Sequence, residues 1–103
     1  MSEIDKRVID NVRRLRLDKG LTASDLAYWL DVNQSFIQNI ESNRTVHKYN
    51  LNHITKISFL LDCNISELIP KMEDVSTDEE LRLMQKNKES IFTNIRRKLL
   101  KRR

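Results

Sequence analysis

A chain of 103 residues, 33% of them charged and 39% hydrophobic, has material for one modest core and one further helix, but not for two domains or a deep enzymatic cleft. A single Cys excludes an intrachain disulfide and fits the reducing cytoplasm, no apolar run reaches the roughly 20 residues of a membrane span, and the charged N-terminus does not read as a signal peptide. One Gly and one Pro argue against a turn-rich all-β fold and a Gly-rich phosphate loop, and the net charge of +4 is unevenly placed. Residues 1–69 carry nine Lys/Arg against nine Asp/Glu, whereas residues 70–103 carry ten against six, so the whole excess lies in the tail.

The elements read as helix after helix. Ile4, Val8, Val12 and Leu15 recur in steps of four, four and three, one face of a first helix. Gly20 stops it, because glycine enters the left-handed region without steric cost. Thr22, with Asp25 three residues on, supplies a short-armed capping box for a second helix with Leu26, Ala27 and Leu30 inward. The segment 31–33 breaks that helix, and Asn33 caps a third, 34–42, with Ile37 and Ile40 inward. Asn50 caps a fourth helix carrying Leu51, Ile54, Ile57, Leu60 and Leu61 at helical spacing. Asn64 caps a short fifth helix, 65–69, closed by Pro70. Cys63 lies among apolar positions and reads as a small buried side chain. No period-two strand pattern or internal repeat is present.

Past Pro70, a polar link at 71–76 leads to an amphipathic helix at 77–103. Ser76 with Glu79 makes a capping box, and Asp78, Glu79 and Glu80 suit the positive end of the helix dipole. At about 100° per residue, Leu81, Met84, Lys88, Ile91, Phe92, Ile95 and Leu99 form one stripe, interrupted by the charge of Lys88. Such a helix is not stable alone in water, so the stripe needs cover. The readings are contact with a second copy, docking on its own domain, binding another protein, or, least favoured, a membrane surface.

Two helices joined by a tight turn, the second with a polar face, form a DNA-reading arrangement. Leu15-Arg16, Lys19-Gly20-Leu21-Thr22, Asp25-Leu26-Ala27, Leu30, Val32, Ser35-Phe36-Ile37, Ile40-Glu41, Lys56-Ile57 and Glu67-Leu68 follow in the order and spacing of a known family. Over residues 4–69 the chain resembles the lambda-repressor-like helix-turn-helix family of the Cro and xenobiotic-response-element type. The resemblance implies an all-α fold: a five-helix DNA-binding domain at 1–70, whose third helix enters the major groove, followed here by the C-terminal amphipathic helix.

With Ile37 and Ile40 inward, the third helix presents Gln34, Ser35, Gln38 and Asn39. Amide side chains combine a donor and an acceptor and match the adenine edge, so these four are the candidate base readers. The resemblance assigns phosphate contacts to Thr22, Asn43, Arg44 and Lys48, and a salt bridge to Arg16 and Glu41. Two positions depart from the family pattern: Ala23 stands where a phosphate-binding Gln is common, and Asp31 where Gly is usual in the turn. Tyr28 and Trp29 occupy positions usually charged and solvent-facing, which points to a covering surface; with Leu81, Met84, Ile91, Phe92, Ile95 and Leu99 they are the candidate dimer or partner contacts.

His47, His53 and Cys63 share no metal-ligand spacing, and neither a catalytic triad nor a crowded carboxylate pair is present. No cofactor and no enzymatic activity are expected. The sequence thus reads as a cytoplasmic, sequence-specific DNA-binding regulator, a homodimeric repressor on a palindromic operator. The alternative is a protein-interaction module, such as an antitoxin-like protein or adaptor, whose C-terminal helix binds a partner protein.

Overall fold

The computed structural model describes residues 2–42, 46–71 and 79–101. Those residues form six helices and no strand: α1 (Glu3–Asp18), α2 (Ala23–Leu30), α3 (Gln34–Ser42), α4 (Leu51–Leu60), α5 (Ile65–Leu68) and α6 (Glu79–Lys101). The chain divides into two units, Met1–Lys71 and Met72–Arg103. None of the described helices is long and apolar enough to cross a membrane.

The first unit is held by one core. Val8, Ile9, Val12, Leu26, Ala27, Leu30, Ile37, Ile40, Ile54, Ile57, Leu61 and Leu68 bring side chains from all five helices into it. The small Ala27 lies inside this core, where a larger side chain would hold the helices apart. Three expectations are corrected. The buried face of α1 is Val8, Ile9, Val12 and Arg16, while Ile4 is exposed, because the helix is turned to put Ile9 against the core. In α4, Leu51 is 78% exposed although it shares the helical spacing of Ile54 and Ile57; it is the first helical residue and lies beyond the core's edge. Cys63 is half-buried rather than enclosed.

Caps and stops explain the boundaries. The Ser2 hydroxyl accepts the Asp5 N–H at 3.2 Å, and Thr22 and Asp25 complete a reciprocal box at 3.0 and 2.9 Å. Asn50 caps α4 by accepting the His53 N–H at 2.8 Å. The Glu67 carboxylate accepts the Asn64 N–H at 2.7 Å at the start of α5, which ends at Leu68 because Ile69 is extended before Pro70.

Three helices end in the same way, on a residue of positive φ followed by an N–H that reaches back to a free carbonyl. The residues are Gly20 (φ 72°), Asp31 (φ 57°) and Asp62 (φ 53°). The closing bonds run from Leu21 N–H to Arg16 O at 3.0 Å, Val32 N–H to Ala27 O at 3.0 Å, and Cys63 N–H to Ser58 O at 3.1 Å. Two of the three stops are therefore aspartates, which tolerate the left-handed region less well than glycine does.

The second unit holds α6, whose described side chains include no buried residue. Leu81 is half-buried, and Met84, Ile91, Phe92, Ile95 and Leu99 are exposed. The expected Ser76 cap and Asp78 lie outside the described residues.

Candidate nucleic-acid interface

The geometry of the interface begins with how α3 is held. Ile37 and Ile40 are fully buried, and Phe36 packs against the core from its edge. The helix therefore cannot rotate about its axis without opening the core. Its opposite side leaves Gln34, Ser35, Gln38 and Asn39 exposed together. These four side chains lie on successive turns of one surface, with amide donors and acceptors available and no fixed charge among them.

The far end of α3 is fixed by an ion pair. Arg16 donates from Nε and Nη2 to the two carboxylate oxygens of Glu41, at 2.9 and 2.8 Å. Its remaining Nη1 donates to the Leu21 carbonyl at 2.6 Å. One guanidinium thus joins α1, the turn before α2 and the end of α3. Among the described residues Arg16 is the one charged residue that is buried, at 7% exposure.

The segment after α3 is anchored next to the same pair. Tyr49 is buried, and among the described residues its hydroxyl has no hydrogen-bond partner. Burial raises its phenol well above the usual range, and the negative charge of Glu41 adds to this while Arg16 partly offsets it. The Tyr49 ring meets His53 edge-on at 6.2 Å, and Phe36 lies 5.7 Å from His47 and 5.6 Å from His53. His53 also closes the α4 cap, since its Nδ1 accepts the Asn50 N–H at 3.2 Å. That bond needs the ring neutral at Nδ1. Burial, with the nearby charge of Lys56, lowers the His53 pKa in keeping with that state.

The assigned phosphate contacts differ in their surroundings. Thr22 is exposed at the start of α2, with its hydroxyl oxygen accepting the Asp25 N–H and its hydroxyl also bonded to the Asp25 carboxylate. Lys48 extends back to α1, with Nζ 3.3 Å from Asp5 Oδ2. Burial pushes the Asp5 carboxyl up, but the Ser2 hydroxyl and Lys48 outweigh it, so the group sits below its usual pKa. Asn43 and Arg44 lie outside the described residues.

Tyr28 and Trp29 are 79% and 62% exposed, on the outer side of α2, and pack edge to face at 5.7 Å. The aromatic surroundings of His53 and its cap on α4 were not anticipated from the sequence. The signal was the spacing Asn50 to His53, a capping box in which a ring nitrogen replaces the usual carboxylate. The link from Lys48 to Asp5 joins residues far apart in the chain and had no local signal.

Residues 11–70 match the family described as the Cro/C1-type HTH DNA-binding domain. No match is found among curated proteins. Among solved structures, the chain is similar to the restriction-modification controller protein C.AhdI from Aeromonas hydrophila, at 27% identity and a TM-score of 0.53, covering 64% of this chain and 96% of that one. It is similar to SinR, the master regulator for biofilm formation, in complex with DNA, at 26% identity and a TM-score of 0.51, covering 59% and 95%. The N-terminal DNA-binding domain of SinR from Bacillus subtilis matches at 25% identity and a TM-score of 0.52, covering 61% and 90%.

Proposed function

The chain belongs to the Cro/C1-type helix-turn-helix DNA-binding domain family, and from that premise we propose that it is a sequence-specific transcriptional repressor, acting in the cytoplasm, that binds a palindromic operator as a homodimer through α3. The observation that carries this reading is the exposed row Gln34, Ser35, Gln38 and Asn39 on a helix locked by two fully buried isoleucines and a buried ion pair. Gln34 and Ser35, at the helix start, are the principal base readers, since the N-terminal residues of a recognition helix lie deepest in the major groove. Gln38 and Asn39 read the adjoining positions. Thr22, Asn43, Arg44 and Lys48 hold the phosphates and set the register. A homodimer fits the need to engage two half-sites about one DNA turn apart. Neither the family nor the residues of the interface call for catalysis.

Selection of sites from a random duplex pool with the full chain tests the proposal. Enrichment of a two-fold symmetric motif with half-sites about 10 base pairs apart supports it. Failure to enrich any sequence refutes base reading by α3.

A second reading, a module whose principal partner is a protein, is favoured by the exposed pair Tyr28 and Trp29 and by the exposed Met84, Ile91, Phe92, Ile95 and Leu99 along one side of α6. The chain is also similar in fold to SinR in its complex with the SinI protein, at 20% identity. Co-purification of a second protein lost on truncation after Pro70, with no selected DNA motif, would establish this reading instead.

A further inference from the structure

The α6 stripe carries an instruction about direction. Counting about 100° per residue, Leu81, Met84, Lys88, Ile91, Phe92, Ile95 and Leu99 share one side. Their spacing repeats at 11 residues, Leu81 with Phe92, Met84 with Ile95 and Lys88 with Leu99. This repeat is close to that of a straight α-helix, so two such helices can lie along each other without the left-handed winding of a heptad coil. Among the described residues of α6 no side chain is buried, and Met84, Ile91, Phe92, Ile95 and Leu99 are exposed.

The charges are not symmetric along the helix. Residues 79–90 hold Glu79, Glu80 and Glu89 against Arg82, Lys86 and Lys88, a balance of three and three. Residues 91–101 hold Arg96, Arg97, Lys98 and Lys101 and no acid. Side-by-side parallel copies would bring two clusters of four cations together, and would set Lys88 against its own copy in the middle of the apolar contact. Neither arrangement is favourable where water is thinned out.

We propose that α6 pairs with α6 of a second copy in antiparallel orientation, a deepening that rests on the homodimer reading above. In the register that sets Leu81 against the partner copy's position 99, Lys88 meets position 92 and Met84 lies within one residue of position 95. The Lys88 stem then lies along an aromatic ring with its ammonium free to reach the ring face or solvent. Glu80 and Lys98 lie 18 residues apart, five turns of about 3.6 residues, and so on the same edge of the stripe. Antiparallel pairing brings that edge against itself, so Glu80 of each copy comes within about 3 Å along the axis of position 98 of the other, inside the reach of the two side chains. Each cationic half rests on the balanced half of its partner.

The test uses the full chain, with dimerisation followed by sedimentation. Lys98→Glu weakens an antiparallel dimer roughly tenfold by opposing Glu80, as does Glu80→Lys, and the double exchange restores it. In a parallel dimer Lys98→Glu relieves repulsion and tightens association, so the sign of this one change decides. A spin label at Lys101→Cys in a Cys63→Ser background gives an inter-copy distance of about 30 Å or more if the helices are antiparallel, the rise of the intervening turns. A distance of about 10–20 Å, the spacing of adjacent helices with their labels, overturns the proposal. A dimer that survives Ile91→Lys with Ile95→Lys also overturns it, since the interface then lies elsewhere. A monomeric chain that still selects a single DNA half-site overturns the pairing and leaves base reading by α3 standing. Loss of DNA selection with the dimer intact does the reverse.

Discussion

Arg16 and Glu41, 25 residues apart in sequence, meet through two parallel hydrogen bonds of 2.9 and 2.8 Å with both side chains about nine-tenths buried. The pair ties the last turn of α1 to the end of α3, and the Leu21 carbonyl takes the remaining arm of the guanidinium at 2.6 Å. Removing one partner leaves a buried charge without compensation, which costs far more than the net worth of the pair.

Arg16→Ala or Glu41→Ala should therefore destabilise the domain by about 3–5 kcal/mol, a large share of the stability of a domain this size. Replacing both, Arg16→Met with Glu41→Leu, should cost clearly less than the sum. Urea denaturation of the two single variants and the double variant checks this. Additive losses would show that the two side chains act separately.

His53 makes stability depend on pH near neutrality. Its folded pKa lies below the ordinary 6.5 because burial and Lys56 disfavour the imidazolium, so the unfolded chain binds the proton more readily. Stability from this group is complete above the unfolded pKa and falls as pH drops through that value toward the folded one. Protonation also removes the acceptor that caps Asn50 and places a cation at the positive end of α4. His53→Gln keeps an acceptor at the same position, and its melting temperature should drop less than that of the unchanged chain between about pH 7.5 and 5.5. Equal drops would exclude His53 as the source.

The three left-handed stops respond in opposite senses to substitution. Asp31→Gly and Asp62→Gly should each stabilise by roughly 0.5–1 kcal/mol, since a side chain costs about 1–2 kcal/mol in that conformation and glycine returns part of the gain as chain entropy. Gly20→Ala should destabilise by about 1–2 kcal/mol through the backbone alone, because a Cβ there meets nothing within 4 Å. Thermal melts of the three variants test the signs.

Base reading and phosphate holding separate on salt and sequence. Gln34→Ala should relax preference at one or two base positions, at about 1–3 kcal/mol on the selected site. Lys48→Ala should weaken every sequence alike and lower the salt slope by about one, with a smaller loss where Lys48 stays on Asp5 in the complex. Binding titrations at several salt concentrations, on selected and scrambled duplexes, distinguish the two; a uniform loss for Gln34→Ala would remove it from the base readers.

The sequence by itself determined most of the helices and their ends. The pattern Thr22 to Asp25, the caps at Asn50 and Asn64, the stops at Gly20 and Pro70, and the inward Leu26, Ile37 and Ile40 are local signals acting within one or two turns. They also placed Gln34, Ser35, Gln38 and Asn39 on the outer side of α3, because helical period alone fixes which residues oppose the two isoleucines. Only the tertiary structure decided how far each face is buried. It enclosed Ile9 in place of Ile4, left Leu51 and Phe59 at 78% and 91% exposure, and carried Tyr49 into the core from a segment with no helical period. It also brought Lys48 to Asp5 and Phe36 to His53, contacts between residues whose separation in the chain holds no periodic signal. The reason is physical. Caps and turns are settled by hydrogen bonds within a few residues, whereas burial depends on where a neighbouring helix crosses, and the crossing is a property of the packed set of helices.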